Sequence, residues 1–264
     1  MSEILTERSG SILRIQLNRP EKKNAMTSAM YTGLADLLNE AGQDDRIRVV
    51  LLHGAGDSFT AGNDLEDFAN RPPGAGESPQ AQLIHALINF DKPLVAAVHG
   101  AAVGSGTTML TYCDFVYAGE SAKFQMPFIN LGLVPEFGTS YSVPRWVGYL
   151  HATELILLGL PFNAARADEL GFLTAVVPDR KLLETATDTA QKLAEKPASA
   201  LQACKKLLKR SLREQLKHAV DAEIEEFSTR LHSADTKEAI TAFFEKRPPD
   251  FTRTNNATPK EQSA

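Results

Sequence analysis

The chain has little of what marks several common classes of protein. Two cysteines, Cys113 and Cys204, among 264 residues are too few for a disulfide framework and fit reduced thiols in a cytosolic protein. No apolar run approaches the length needed to cross a bilayer, and the opening residues Met1 to Arg8 lack the basic segment and apolar stretch of an export signal. The final Glu261-Gln-Ser-Ala264 carries no Ser-Lys-Leu peroxisomal address. A cytoplasmic protein without membrane association is therefore expected. Positive charge is also scarce: 28 Lys and Arg against 33 Asp and Glu give a net charge of -5. That balance argues against nucleic acid as a partner.

Several chemistries lack their residues. The six histidines, at 53, 85, 99, 151, 218 and 232, show no metal-ligand spacing with cysteines or carboxylates. No serine sits in a Gly-x-Ser-x-Gly elbow, and neither Gly54-Ala-Gly56 nor Gly100 to Gly106 matches a dinucleotide or Walker phosphate loop. No metal and no cofactor is expected. What remains is ordinary globular composition, 43% hydrophobic and 23% charged, enough for one large domain or a domain with a smaller appendage.

Periodicity gives an order of elements. Leu13, Ile15 and Leu17 alternate with Arg14 and Gln16, as in a half-buried strand over 11–17. Met30, Leu34, Leu37, Leu38 and Ala41 recur at helical spacing over 27–41, with Thr27 as N-cap. Val49-Val-Leu-Leu52 and Leu94-Val-Ala-Ala-Val98 are continuous apolar runs, each following a helical segment, at 27–41 and 80–90. That alternation predicts parallel strands covered on both faces. Further strands are expected at 115–118, 122–125 and 173–177, and helices at 106–113, 144–158, 164–170 and 179–195. A last helical stretch over 198–245 is expected to break near Ser211 and Ala234. The Pro/Gly-rich segment 70–79 reads as a mobile loop bordering a site, and the aperiodic end as disordered.

Glu136 is the sole acid between Glu120 and Glu154, set in the apolar run Phe124 to Ser140. Burial would raise its pKa towards the range of a general base, whereas a surface position near a helix start would suit an acid equally well. Two glycine-rich turns accompany it, His53 to Leu65 and His99 to Thr108, each following a buried strand. Such turns can aim unpaired backbone N–H groups at a ligand, as in an oxyanion hole, or can simply allow close packing.

The segments Asn18-Arg-Pro-Glu-Lys-Lys-Asn-Ala25, Gly54-Ala-Gly-Asp-Ser-Phe-Thr-Ala-Gly-Asn-Asp-Leu65, Lys92-Pro-Leu-Val-Ala-Ala-Val-His-Gly-Ala-Ala-Val-Gly-Ser-Gly106 and Cys113-Asp-Phe115 together resemble the crotonase, or enoyl-CoA hydratase/isomerase, superfamily. The resemblance runs from about residue 10 to 250. It implies an α/β fold, a crotonase-like spiral of β-β-α units over 1–195, a helical C-terminal region over 196–250 used in trimerisation, and a flexible tail over 251–264. It also implies an acyl-CoA thioester substrate, with coenzyme A part of the substrate, and a homotrimer or a hexamer of paired trimers. The thioester oxygen would be held by the N–H groups of Asn63 and Ser105.

Hydratases of the family use two glutamates, one for water and one for carbon. Here their positions hold Thr108 and Phe128. Ala61-Gly-Asn-Asp-Leu65, Met126-Pro-Phe128 and Val134-Pro-Glu-Phe-Gly-Thr-Ser-Tyr141 are instead similar to the peroxisomal-type Δ3,Δ2-enoyl-CoA isomerases and their bacterial relatives. That resemblance makes Glu136 the single proton shuttle, acting with Asn63 and Ser105. The alternatives are another crotonase reaction, such as enoyl-CoA hydration, and a non-catalytic acyl-CoA-binding protein. Substrate contacts are expected from Lys22, Lys23, Ala25, Ala61, Gly62, Asn63, Asp64, Leu65, Phe68, Gly104, Phe128 and Lys246, with Arg247 a further candidate for the CoA phosphates. Phe128, Leu133, Phe137 and Phe68 would raise the proton affinity of Glu136, and a helix start near Pro135 would lower it. Asp64 and Asp114 read as turn-capping acids, His99 and Cys113 as packing residues.

Overall fold

The computed structural model describes residues 2–69 and 77–252, with the side chains of Phe68 and Ala69 excluded. Nine strands and ten helices are found among them: β1 (Ile4–Ser9), β2 (Ile12–Leu17), α1 (Ser28–Gln43), β3 (Val49–Gly54), α2 (Leu65–Ala69), α3 (Pro79–Asn89), β4 (Leu94–Val98), β5 (Ala101–Val103), α4 (Ser105–Thr108), β6 (Phe115–Gly119), β7 (Lys123–Gln125), α5 (Thr139–Val147), α6 (Tyr149–Leu157), β8 (Phe162–Asn163), α7 (Ala164–Glu169), β9 (Ala175–Val177), α8 (Asp179–Ala194), α9 (Ala198–Leu231) and α10 (Ala234–Phe244). The large sheet runs β1-β2-β3-β4-β6-β9 and the small one β5-β7-β8. In the large sheet, β1 and β2 are antiparallel and all other neighbours parallel.

The continuous apolar runs are explained by burial on two faces. Val50, Leu52, Leu94 and Ala96 join the core that contains Leu34 and Leu38 of α1 and Leu83 and Leu87 of α3. Their neighbours Val49, Leu51, Val95 and Ala97 face Leu182, Ala186 and Ala190 of α8 on the other side. Alternate residues of one strand therefore serve opposite helical layers.

The chain steps repeatedly from the large sheet into the small one. β4 leads into β5, β6 into β7, and after β3 the chain bridges from Thr60 to Ala102. These steps are the β-β-α turns of the spiral, and they bring the two glycine-rich segments side by side. Asn24 locks the first of them: its fully buried amide donates to the carbonyls of Ala55 and Ser58 at 2.8 and 2.7 Å.

Several elements differ from expectation; α2, β5 and β8 are short elements with no expected counterpart. β1 was not anticipated, because it is an edge strand exposed over most of its length and so lacks an apolar pattern. The helix expected over 144–158 is two helices broken at Gly148, and the first begins five residues earlier, at Thr139. No break occurs at Ser211: α9 runs uninterrupted for its full 34 residues, Ala198–Leu231. A single serine costs a helix only a few tenths of a kcal/mol. Lys209 and Arg213, which flank it, anchor α9 to the end of α3: Lys209 Nζ donates to the Ile88 carbonyl at 3.0 Å, and Arg213 pairs with Asp91. The break near Ala234 is present, with Ser233 as N-cap of α10.

Among the described residues no helix is long and apolar enough to cross a membrane. Asp114 joins the core to the tail: its Oδ2 accepts from the Leu94 N–H at 2.7 Å and from Lys205 Nζ, on α9, at 2.6 Å. Asp114→Ala leaves a buried ammonium without its counter-ion, and urea denaturation should show a loss of about 2–3 kcal/mol.

Candidate active site

The two glycine-rich segments meet at a cavity of about 660 Å³. Gly62 and Gly104 line it, with φ of 84° and 55°, a region that side chains rarely adopt. At Gly62 space also excludes a side chain, since a Cβ would lie 2.5 Å from the Val103 carbonyl oxygen and 3.8 Å from Gly104 Cα. Asn63 and Ser105 follow these glycines. The Met26 N–H donates to the Gly62 carbonyl and the Asp64 N–H to that of Met26, so the backbone on either side of Asn63 is paired. Among the described residues neither the Asn63 nor the Ser105 N–H donates to a backbone carbonyl.

Glu136 reaches the same cavity from the other side, in the turn ahead of α5. It is 8% exposed, and its Oε1 has no hydrogen-bond partner. Burial first, and the nearby negative charge of Glu223 second, push its carboxyl up to about 8. The opposing effect of a helix start is absent, because α5 begins at Thr139 rather than near Pro135. Its first donors are taken by another acid: Glu223, on α9, accepts from the Gly138 N–H at 2.6 Å and the Ser140 N–H at 2.8 Å. The bend between them passes through Phe137 and Gly138, with φ of 62° and 65°. For phenylalanine that geometry costs about 1–2 kcal/mol. It is offset by the ring's complete burial and by a 2.8 Å bond from the Tyr112 hydroxyl to the Phe137 carbonyl.

Most residues expected at the substrate are brought together. Lys22, Lys23, Ala25, Ala61, Gly62, Asn63, Asp64, Leu65, Gly104 and Phe128 all line the cavity. Ser105 lies just behind its wall, fully buried. Lys246 is exposed and does not line it, and Arg247 is paired with Glu238 and Glu245. The Phe68 side chain and residues 70–76 of the expected loop lie outside the described residues. Asp64 is a capping acid, bonded to the Glu66 N–H and to Arg19 at 3.1 and 3.0 Å. Thr108 and Phe128 are both buried, and their hydroxyl and phenyl ring supply no carboxylate. Contributors missed by sequence include Tyr31, whose hydroxyl bonds both Asn63 and Ser105, Glu223, and the wall residues Leu131, Phe227, Phe243 and Phe244. The apolar wall is completed by Leu131, Leu133, Phe243 and Phe244, which places the helical tail at the site. An unpaired carboxyl of raised proton affinity can take a proton from carbon, and free N–H groups can hold an oxyanion.

Strands that step in pairs between two sheets, with a cavity where their glycine turns meet, define a crotonase-type fold. Residues 7–254 match the family described as enoyl-CoA hydratase/isomerase, and the chain belongs to that family. It is 37% identical over 259 residues to the 1,2-epoxyphenylacetyl-CoA isomerase of Escherichia coli K12, covering 96% of this chain and 99% of that protein. It is 36% identical over 252 residues to the 2,3-dehydroadipyl-CoA hydratase of the same organism, covering 95% and 99%. Human enoyl-CoA delta isomerase 2 is 37% identical over 227 residues, or 83% of this chain and 57% of the human protein. The crystal structure of an enoyl-CoA hydratase/isomerase from Pseudoalteromonas atlantica T6c superposes with a TM-score of 0.92 at 38% identity, over 95% of this chain and all of that one.

The raised proton affinity of Glu136 is also a statement about stability. Its folded pKa, about 8, lies above the unfolded value of 4.5, so the native state holds the extra proton between them and stability falls as pH rises through that window. Between pH 6 and pH 9 this group should remove about 2–3 kcal/mol from the wild type. Denaturation curves of wild type and Glu136→Gln at the two pH values should differ by that amount.

Proposed function

We propose that the protein is a Δ3,Δ2-enoyl-CoA isomerase, which moves the double bond of 3-enoyl-CoA into conjugation with the thioester. The observation that carries this is a single buried, unpartnered carboxyl, Glu136, in a cavity where the two hydratase positions hold Thr108 and Phe128. Glu136 removes a proton from C2, the electrons move to the thioester oxygen, and the N–H groups of Asn63 and Ser105 stabilise that charge. Each good donor contributes on the order of 3 kcal/mol. The protonated Glu136 then delivers its proton to C4. The double bond passes from C3 to C2, no water is consumed, and no cofactor is required.

Its environment suits the task. A carboxylate with a pKa of about 8 is a far stronger base than an ordinary glutamate, although roughly a tenth of the molecules carry it ionised at pH 7. Phe128 and Leu133 keep the cavity apolar near it. Lys22 and Lys23 line the cavity wall, which supports the reading that they meet the CoA phosphates. Exposed apolar side chains such as Leu207 and Leu208 on α9 support assembly of copies through the helical region, as a homotrimer or hexamer.

Glu136→Gln should lower kcat on 3-enoyl-CoA by on the order of 10²–10⁴-fold while still binding a saturated acyl-CoA. Wild-type rates in that variant would contradict the assignment. The same wild-type preparation, given 2-enoyl-CoA, should add water slowly or not at all; rapid hydration would assign it to the hydratases. A base must be ionised to act, so kcat/KM should rise with pH to a plateau above about 8. In Glu223→Gln, which removes the neighbouring negative charge, the midpoint should move down.

A further inference from the structure

Tyr31 sits on α1, a helix that contributes no residue to the cavity wall, and its side chain is fully buried. Its hydroxyl lies 2.6 Å from Asn63 Oδ1 and 2.5 Å from Ser105 Oγ. A phenol has one proton, and an amide oxygen only accepts. Tyr31 therefore donates to Asn63, and the Ser105 hydroxyl donates to Tyr31. These are the only side-chain hydrogen bonds that Asn63 and Ser105 make among the described residues. One buried oxygen thus ties together the side chains of both residues that follow the left-handed glycines.

We propose that Tyr31 is a positioning residue: its hydroxyl fixes the two glycine turns relative to one another, so that the N–H groups of Asn63 and Ser105 stay aimed at one thioester oxygen. This rests on the oxyanion role given to those N–H groups above. The need for such a tie follows from the backbone. Each donor is attached to a glycine, the residue with the widest choice of backbone angles, and oxyanion stabilisation depends on donors fixed before charge develops. The tie works from behind the wall, where it does not touch substrate. Burial, and the Glu136 carboxylate in the fraction that is ionised, raise the Tyr31 phenol well above its ordinary value, so it keeps its proton and the chain of donors keeps its direction.

Tyr31→Phe removes one oxygen and keeps the ring. The probe is hexanoyl-CoA labelled with ¹³C at the thioester carbonyl, bound to the full-length protein and followed by difference infrared spectroscopy. Wild type should lower the carbonyl stretch relative to the free thioester in water, and Tyr31→Phe should give back a large part of that shift. Its kcat on 3-hexenoyl-CoA should fall on the order of 10- to 100-fold, with KM changed by no more than about threefold. Ser105→Ala, which cuts the tie at its other end and keeps the backbone N–H, should move both readings in the same direction, and it decides the matter if Tyr31→Phe does not fold. A wild-type stretch in the variants overturns the proposal, even where kcat or thermal stability has dropped. No lowering of the stretch in the wild type itself overturns the oxyanion role, and the proposal with it.

Discussion

The Glu136 carboxyl is kept out of water with one oxygen unpaired because the backbone beside it bends through two left-handed residues, and Glu223 fastens that bend from α9. A neutralising partner for Glu136 would make it an ordinary ionised acid. A water-filled surround would do the same. Burial leaves Glu136 only 8% exposed, no basic side chain pairs with it among the described residues, and the N–H groups of the turn that could have stabilised it are occupied by the second carboxylate. That carboxylate also adds repulsion, so one residue both shapes the turn and raises the proton affinity. The left-handed Phe137 is tolerated because its ring is fully packed and its carbonyl is bonded to Tyr112.

The rest of the architecture serves to bring distant segments to this carboxyl. The pairing of β3, β4 and β6 places their ends along one edge, and the steps into the small sheet set the segments around Gly62 and Gly104 in contact. The helical tail is part of the site, since Phe227, Phe243 and Phe244 close the apolar wall. Glu223 from the same tail reaches the turn ahead of α5. A tail that only mediated assembly would have no reason to send a carboxylate there.

Much of this was legible in sequence wherever the physics is local. Strands covered on two faces announce themselves as Val49–Leu52 and Leu94–Val98, and Thr27 caps α1, with its hydroxyl accepting the Met30 N–H. The glycine turns and Glu136 were visible as motifs. What escaped depends on partners far apart in the chain. The start of α5 is set by Glu223, more than eighty residues later, and no local pattern near Pro135 reports it. Tyr31 reads as one more apolar position of an amphipathic helix, and its hydroxyl finds Asn63 and Ser105 only after folding. Ser211 looked like a break because propensity was weighed without the contacts of Lys209 and Arg213.

Burial and Glu223 hold the Glu136 carboxyl protonated well above the usual carboxylate range. Titration of the full-length protein labelled with ¹³C at glutamate carboxyl carbons, with the Glu136 resonance assigned by its loss in Glu136→Gln, measures this directly. The structure predicts a midpoint of about 8. A midpoint near the unperturbed glutamate value of about 4.3 would contradict it.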